Sequence, residues 1–347
     1  MKKAFLICTL AAVFTTFLSG CGSDKPPKIG VSLGVGSAPR WAQEKVYMEE
    51  RAEELGAEIE VNLSPKSEGN SQMEDCIALI NSGIDVLIMR PKDTDGIEDV
   101  IELAKKKNVK IINYAGLADQ QPIDLFVGYD CTQIGQTLGQ YLSEMVTSGS
   151  YILLSGPPED KYVSSYIYDG AMEYIDPIRD DIDIILDASV PGWDPDEAKT
   201  MVYDAISKNN NKIDAILAPN DGIAGACAEV IKELGITSPV VITGMDAQLE
   251  AAQRIVAGTQ SCTIFMNGRF LANTAVEEAC KMAKGEKLSI NSEMDNGSDN
   301  PVPANLINKS NVVPANLISG QLVTKENLDK KLIDSKYFTH EEVYGKK

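Results

Sequence analysis

A small set of polar residues in this chain stands where side chains can converge. Asn113, Asp130, Asn220, Asp221, Asp246 and Asn267 each close a short run of β-branched and aliphatic residues or follow directly on one. In an open parallel sheet, side chains at the carboxyl ends of the strands face one crevice, and ligands bind there. Amides and carboxylates in such a crevice can donate to and accept from the hydroxyls of a polar ligand. The same residue types also cap helices, because their oxygens accept the free N–H groups of a first helical turn. For any one of these positions the two readings stand level. The acids at 130, 221 and 246 also admit reading as a glycosidase pair, and the chain's leader, described below, weighs toward hydrogen bonding instead. Two tryptophans accompany them. Trp193 sits in the turn Pro191-Gly192-Trp193-Asp194-Pro195, and Trp41 opens a helical pattern beside the first strand, where packing within the helix is an equal alternative. An indole face stacks well on the C–H face of a sugar ring.

Other chemistry is poorly supplied. Gly30-Val31-Ser32-Leu33-Gly34 fits a nucleophile elbow, but the chain has 1 histidine, His340, in a polar C-terminal run, and the serine falls inside a strand. Gly34-Val35-Gly36 begins like a dinucleotide fingerprint, with Pro39 where the third glycine belongs, and no P-loop is present. Beyond the leader and Cys21, Cys76, Cys131, Cys227, Cys262 and Cys280 are scattered without zinc or redox spacing, and Cys76, Cys227 and Cys280 lie in apolar helical patterns as buried thiols. No cofactor or metal is expected. With 51 acidic against 32 basic residues and a formal charge of −19, the surface repels nucleic acid and anionic lipid headgroups.

The first residues set a compartment. Lys2 and Lys3 precede an apolar stretch from Ala4 to Leu18 that is too short to span a bilayer, and Ser19-Gly20-Cys21 follows as a lipobox. Residues 1–20 read as a signal peptide, Cys21 as the lipidated mature N-terminus, and residues 21–27 as a tether to an extracytoplasmic membrane face. Loss of the two lysines takes the formal charge from −19 to −21.

From residue 28, short β-branched runs alternate with helical patterns about every 25 to 30 residues. Met73, Cys76, Ile77 and Ile80 share one helix face, as do Ile97, Val100, Ile101 and Ala104. This βαβ alternation predicts an α/β fold with a parallel sheet covered on both faces. A second similar series begins after Asp130, and the strand Cys262 to Phe265 with its following helix is expected to cross back to the first. Residues 291–319, rich in Asn, Pro and Ser, read as extended connection, and residues 324–335 as a last amphipathic helix. The expected lobes are 28–130 with about 264–297, and 131–263 with about 298–335, followed by a tail at 336–347.

With these residues placed, the chain resembles the type I periplasmic binding proteins of sugar ABC transporters, most closely their xylose-binding branch. The likeness runs nearly end to end and includes Lys28-Ile29-Gly30, Arg40-Trp41, Gln72-Met73, Gly83 to Leu87, Gly192-Trp193, Asn209 to Ala215, Asn220-Asp221, Gly258-Thr259-Gln260, Leu271 to Ala275 and Asn296-Gly297. The resemblance implies two Rossmann-like, doubly wound parallel-sheet domains joined by three crossovers. They close over one monosaccharide, and a monomer delivers it to membrane permease subunits. A receptor of the same fold signalling to a membrane histidine kinase is the alternative.

Carried over by position, Trp193 stacks on the sugar while Asn220, Asp221 and Asp246 bond its hydroxyls, and Arg40, Trp41, Tyr114, Asp130, Lys161 and Met266 complete the expected site. The chain departs from the pattern where acids after the first strand become Gly34 and Val35, where an arginine becomes Ser37, where an Asp-Arg pair becomes Ala115-Gly116, and where a lysine becomes Met266. A hydrogen bond to a charged group contributes roughly 1.5–3 kcal/mol, and micromolar affinity amounts to about 8 kcal/mol. Losing three or four such bonds removes most of that affinity, so the expected ligand is a different or modified sugar, larger or less hydroxylated.

Overall fold

A computed structural model describes residues 25–34, 39–64, 70–91, 96–116, 122–158, 160–295 and 312–345. The leader, Cys21, Val35 and Ser37 lie outside the described residues, as do Asn296-Gly297. The chain folds into two α/β halves.

The first half begins with β1 (Lys28–Gly34), α1 (Pro39–Leu55), β2 (Glu58–Ser64), α2 (Asn70–Ser82), β3 (Val86–Arg90), α3 (Ile97–Lys107), β4 (Lys110–Tyr114) and β5 (Leu125–Tyr129). These strands are parallel, with Val31 level with Val61 and Ile88. Ser32 is fully buried within β1, which removes the nucleophile-elbow reading.

The second half runs through α4 (Cys131–Met145), β6 (Gly149–Ser155), α5 (Lys161–Ile175), β7 (Ile182–Ser189), α6 (Pro195–Lys208), β8 (Ala215–Leu217), α7 (Asp221–Glu233), β9 (Val241–Ile242), α8 (Leu249–Ala257) and β10 (Cys262–Phe265). Its sheet has the order β7-β6-β8-β9. Backbone bonds from Ser261 N to Ile242 O (2.9 Å) and Asp246 N to Ile264 O (3.0 Å) continue it into β10. Helices α4 and α5 touch backbone to backbone. A Cβ on Gly139 would stand 2.2 Å from the Ala171 carbonyl oxygen, so only glycine permits this approach.

The chain then returns. Helix α9 (Gly268–Lys284) packs on α1, joined by Arg51–Glu277 (2.8 Å) and Arg269–Glu50 (2.8 Å) ion pairs, and buries Leu271, Ala275 and Ala279 in the first half's core. Strands β11 (Ser292–Asp295) and β12 (Val312–Ile318) follow, and the first sheet has the order β11-β12-β5-β4-β3-β1-β2. β12 pairs parallel to β5, with Ala315 level with Phe126.

This corrects one expectation. Residues 312–318 are a strand of the first half, not extended connection between the halves or part of the second, because the Val-Val and Leu-Ile pairs flanking Pro314 supply strand residues that an Asn- and Pro-rich composition obscures. The chain crosses back after Phe265, since β10 is bonded into the second sheet. Of the duplicated Val-Pro-Ala-Asn-Leu-Ile segment, the second copy lies in β12 and the first lies outside the described residues.

Strand β13 (Gln321–Thr324) pairs antiparallel with β10, and a π-helical turn (Asp329–Ile333) replaces the expected amphipathic helix, with Leu328 and Leu332 buried. The tail carries a further helix, α10 (His340–Tyr344), started by a capping box between Thr339 and Glu342 and docked on α8 through buried Val343. His340 is exposed and stacks on Tyr344, with ring centroids 4.4 Å apart. The halves are joined three times, near Asp130, Met266 and Ser319. Asp130 N donates to Ile318 O (3.0 Å) and Gly320 N to Gln133 Oε1 (3.0 Å), so two of these passages are bonded side by side. The five cysteines among the described residues are buried and unpaired.

Candidate functional site

A cavity of about 220 Å³ opens between the carboxyl ends of the two sheets. Of the expected site residues, Arg40, Trp41, Trp193, Asn220, Asp246 and Met266 line it.

On the first half's wall, α1 places Arg40 and Trp41 on its opening turn. Arg40 Nε donates to Glu44 Oε1 (3.1 Å), and the Tyr114 hydroxyl donates to Glu44 Oε2 (2.6 Å). Glu44 is only 2% exposed, so this carboxylate is held between a cation and a phenol. Burial works against the Arg40 charge, but Glu44, Tyr129 and Asp246 outweigh it and keep the guanidinium's pKa above its ordinary value. Tyr114 does not reach the cavity: it is fully buried at the end of β4, and burial together with Glu44 pushes its pKa well up. Its role here is to hold Glu44. The Trp41 ring is buried and carries two cations, with Arg40 Cζ 4.2 Å and Arg90 Cζ 5.0 Å from its centroid. Both lie within the roughly 6 Å reach of a cation–π contact, so much of this indole's π-surface is already engaged.

On the second half's wall, Trp193 closes a single 3₁₀ turn (Pro191–Trp193) and lies in the left-handed region at φ 58°. Its ring rests on Gly156, where a Cβ would come within 2.1 Å of Cη2. Asn220 both caps a helix and lines the cavity. Its Oδ1 caps α7 by accepting from Ile223 N (2.8 Å), which leaves the amide NH₂ to act in the cavity. Asp246 sits at φ 102°, a conformation rare for side-chain-bearing residues, and such strain clusters at binding sites. Burial pushes its pKa up to about 6, against the pull of Arg40 and with a small push from Glu44.

Asp221 and Asp130 depart from expectation. Asp221 is fully buried behind the cavity and its carboxylate is satisfied internally, accepting from Gln260 Nε2 (2.8 Å), Thr263 Oγ1 (2.8 Å) and Gln248 N (2.9 Å). It fastens α7 to β10 and the start of α8. Burial and Asp246 push its pKa up to about 7, while the three donors oppose that rise. Asp130 caps α4, accepting from Gln133 N (3.0 Å), and Asn267 caps α9, accepting from Phe270 N (3.0 Å). Neither lines the cavity. Met266 does, at the second crossover. Lys161 opens α5, and its side chain lies outside those described.

Sequence reasoning missed Arg90, Asp160 and Tyr129. The Tyr162 hydroxyl donates to the Tyr129 carbonyl, and both residues line the cavity. Arg90 had a signal: it is the one charge closing the apolar strand Val86–Met89, at the same carboxyl edge as the other candidates. Asp160 stands just before α5, in the cap position, but its side chain accepts no capping bond.

The arrangement can bind a small polar ring between an indole, amide and carboxylate groups and two guanidinium groups. It offers no histidine and no metal cluster among the described lining residues, and its one thiol, Cys131, is buried, which pushes its pKa up and keeps it protonated.

Comparison with known proteins agrees with this geometry. The periplasmic binding protein domain family matches residues 29–287. The D-xylose-binding periplasmic protein of Haemophilus influenzae is 30% identical over 99% of this chain and 100% of its own length. The D-xylose-binding periplasmic protein of Escherichia coli is 32% identical over 83% of this chain and 88% of its own length. Among solved structures, a carbohydrate transporter solute-binding protein from Chloroflexus aurantiacus, in complex with D-glucose, superposes with a TM-score of 0.77 at 25% identity, covering 92% of this chain and 98% of that one. These relatives are transport binding proteins, not enzymes, and the family works outside the cytoplasm. With a parallel α/β fold in two halves and a cavity where their strands end, the chain belongs to the periplasmic binding protein family, type I, among its sugar-binding members.

Proposed function

We propose that this chain is the lipid-anchored solute receptor of a sugar ABC importer, tethered through Cys21, and that it presents a monosaccharide to the permease. The observation that carries the reading is the cavity itself, which brings Trp193, Asn220, Asp246 and Arg40 from both halves around one space. A site that pairs an aromatic platform with a few fixed polar groups suits a sugar ring. At about 220 Å³ the cavity is smaller than the roughly 300–1,000 Å³ of drug-sized ligand sites, so it holds a single ring and not an oligosaccharide. Ala115 and Met266 also line it, at positions where the xylose-binding pattern has charged residues, so the ligand is a sugar other than xylose or a modified one with an apolar edge.

The test is titration calorimetry of the purified chain with pentoses, hexoses, deoxy sugars and a disaccharide, read in parallel by tryptophan fluorescence. Binding of one or more single-ring sugars at micromolar concentration is expected, with the disaccharide inert. No response to any sugar refutes the reading. A Cys21→Ala chain is expected to move from the membrane to the soluble fraction.

A further inference from the structure

Arg90 is a cation with an unmet demand. It closes β3 at the cavity wall, and its position is fixed from two sides: Nη1 donates to Gly34 O (3.0 Å), and the Arg90 carbonyl accepts from Gln72 Nε2 (2.7 Å). Gly116, two residues past the end of the neighbouring strand β4, runs alongside it: a Cβ there would make ordinary contact with Arg90 Cγ (3.4 Å) and Nε (3.8 Å). Its Nε is buried and has no hydrogen-bond partner. Burying a donor without an acceptor is costly, so such a group in a native cavity calls for a partner that arrives from outside.

Across the cavity, on the other half, stands Asp160. It occupies the cap position of α5, as Asp130, Asp194, Asn220 and Asn267 do for their helices, but those four side chains accept backbone bonds and that of Asp160 does not. Its carboxylate is therefore uncommitted among the described residues. Arg90 and Asp160 do not meet as an ion pair, although each lines the same cavity.

We infer that Arg90 is a ligand-binding, specificity-determining residue that works with Asp160 as a clamp across the two halves. A neutral ring seats adjacent hydroxyls between them, one accepting from Arg90 Nε and one donating to the Asp160 carboxylate. A hydroxyl suits this place because it both donates and accepts. A sugar acid would gain at Arg90 but meet the carboxylates of Asp160 and Asp246, and a sugar amine would meet the two guanidinium groups. Burial, with Arg40 adding repulsion, lowers the Arg90 pKa against the pull of Asp160, as befits a cation short of acceptors. This inference rests on the proposed sugar-binding function and names the class of sugar: neutral, with vicinal hydroxyls.

The experiment titrates the full-length chain in detergent with the pentoses, hexoses and deoxy sugars of the panel above and with D-glucuronate and D-glucosamine, and repeats it with Arg90→Lys, Arg90→Met, Asp160→Asn and the Arg90→Met/Asp160→Asn double variant. The wild type is expected to bind a neutral sugar at least about tenfold more tightly than the acid or the amine. Arg90→Lys and Arg90→Met are each expected to weaken binding about ten- to hundredfold. The double variant is expected to lose less than the two single losses combined, because both groups hold one ring edge. Thermal melting of each unliganded variant, expected within a few degrees of wild type, separates lost contacts from lost folding. Wild-type affinity in folded Arg90 variants, additive losses, or tightest binding of the acid or amine overturns the clamp while leaving sugar binding intact. Failure of the wild-type chain to bind any sugar overturns both.

Discussion

Asp221 and Asp246 look alike in sequence, each an acid at the end of a strand in the second half, but the structure separates them, and Asp221→Asn tests the separation. The substitution replaces one carboxylate oxygen by an NH₂ group. Thr263 and Gln248 can keep their bonds to the oxygen that remains, since both donate to Oδ2. Gln260 Nε2, which donates to Oδ1, then faces another donor. Turning the Gln260 amide over does not help, because its Oε1 already accepts from Arg254 Nε (2.9 Å). One charge-assisted bond, roughly 1.5–3 kcal/mol, is lost, and a buried donor is left unmet. Together these amount to about 2–4 kcal/mol. With an unfolding entropy near 2.1 cal/mol/K per residue, each kcal/mol lowers Tm by about 1.5 °C for a chain this long, so a fall of about 3–6 °C is expected. Because Asp221 does not line the cavity, sugar affinity at a temperature well below the melt should stay within about twofold. Scanning calorimetry and titration calorimetry on Asp221→Asn and Asp246→Asn together make the assay, the second variant being expected to lose affinity without a fall in melting temperature. If Asp221→Asn instead melts like wild type and binds tenfold more weakly, the carboxylate contacts ligand and the reasoning from burial fails.

Gly156→Ala would bring a carbon within 2.1 Å of Trp193, where carbon–carbon contacts need about 3.5–4.0 Å. The indole must retreat by about 1.5 Å, and loss of a stacking contribution of about 0.5–1.5 kcal/mol should raise Kd about two- to tenfold; unchanged titration curves and Trp emission would count against Trp193 as the platform. Gly139→Ala would place its Cβ 2.2 Å from the Ala171 oxygen, against about 3.3–3.6 Å for a tolerated contact. Overpacking of α4 on α5 should then cost about 1–3 kcal/mol in denaturant unfolding, and an unchanged midpoint would refute so close a helix contact. Asp246 is held at about 6 in the folded protein, above the ~3.9 of an unfolded aspartate. The folded chain therefore keeps a proton that the unfolded chain has released between those values. That contribution to stability is complete below about pH 4 and is lost as pH rises through 6. Melting temperature should fall from pH 5 to pH 8, less steeply in Asp246→Asn, and a rise over that range would contradict the assignment.

The βαβ order was legible because burial on both faces of a parallel sheet leaves apolar runs such as Val86–Met89, and because helices facing that sheet repeat their apolar residues every turn. β12 was not legible, because its partner β5 is far away in sequence and a proline sits in it. Within the site, residue type announced that Asn220 and Asp246 stand at strand ends, but type alone cannot divide a cap from a ligand contact. Asp130 and Asn267 differ from Asn220 only in which way the crevice opens, a tertiary property. Asp221 is decided by Gln260 and Thr263, whose donors come from across the sheet. Arg90 stands at the same carboxyl edge, but a lone arginine after four apolar residues carries no mark of whether its long side chain turns out to solvent or into the crevice.

The pairing of β13 with β10 has a consequence for the order of assembly. The second half begins at Cys131, but the free edge of its sheet is covered only by Gln321–Thr324, near the chain's end, after the polypeptide has gone back and built α9, β11 and β12 in the first half. Neither half can be finished from a contiguous stretch. Contacts between distant parts of a chain are slow to form, so a polypeptide emerging from the ribosome holds an incomplete second half until almost all of it has been made. The late strand acts as a latch, keeping the second half open until the return passage through the first half has been made.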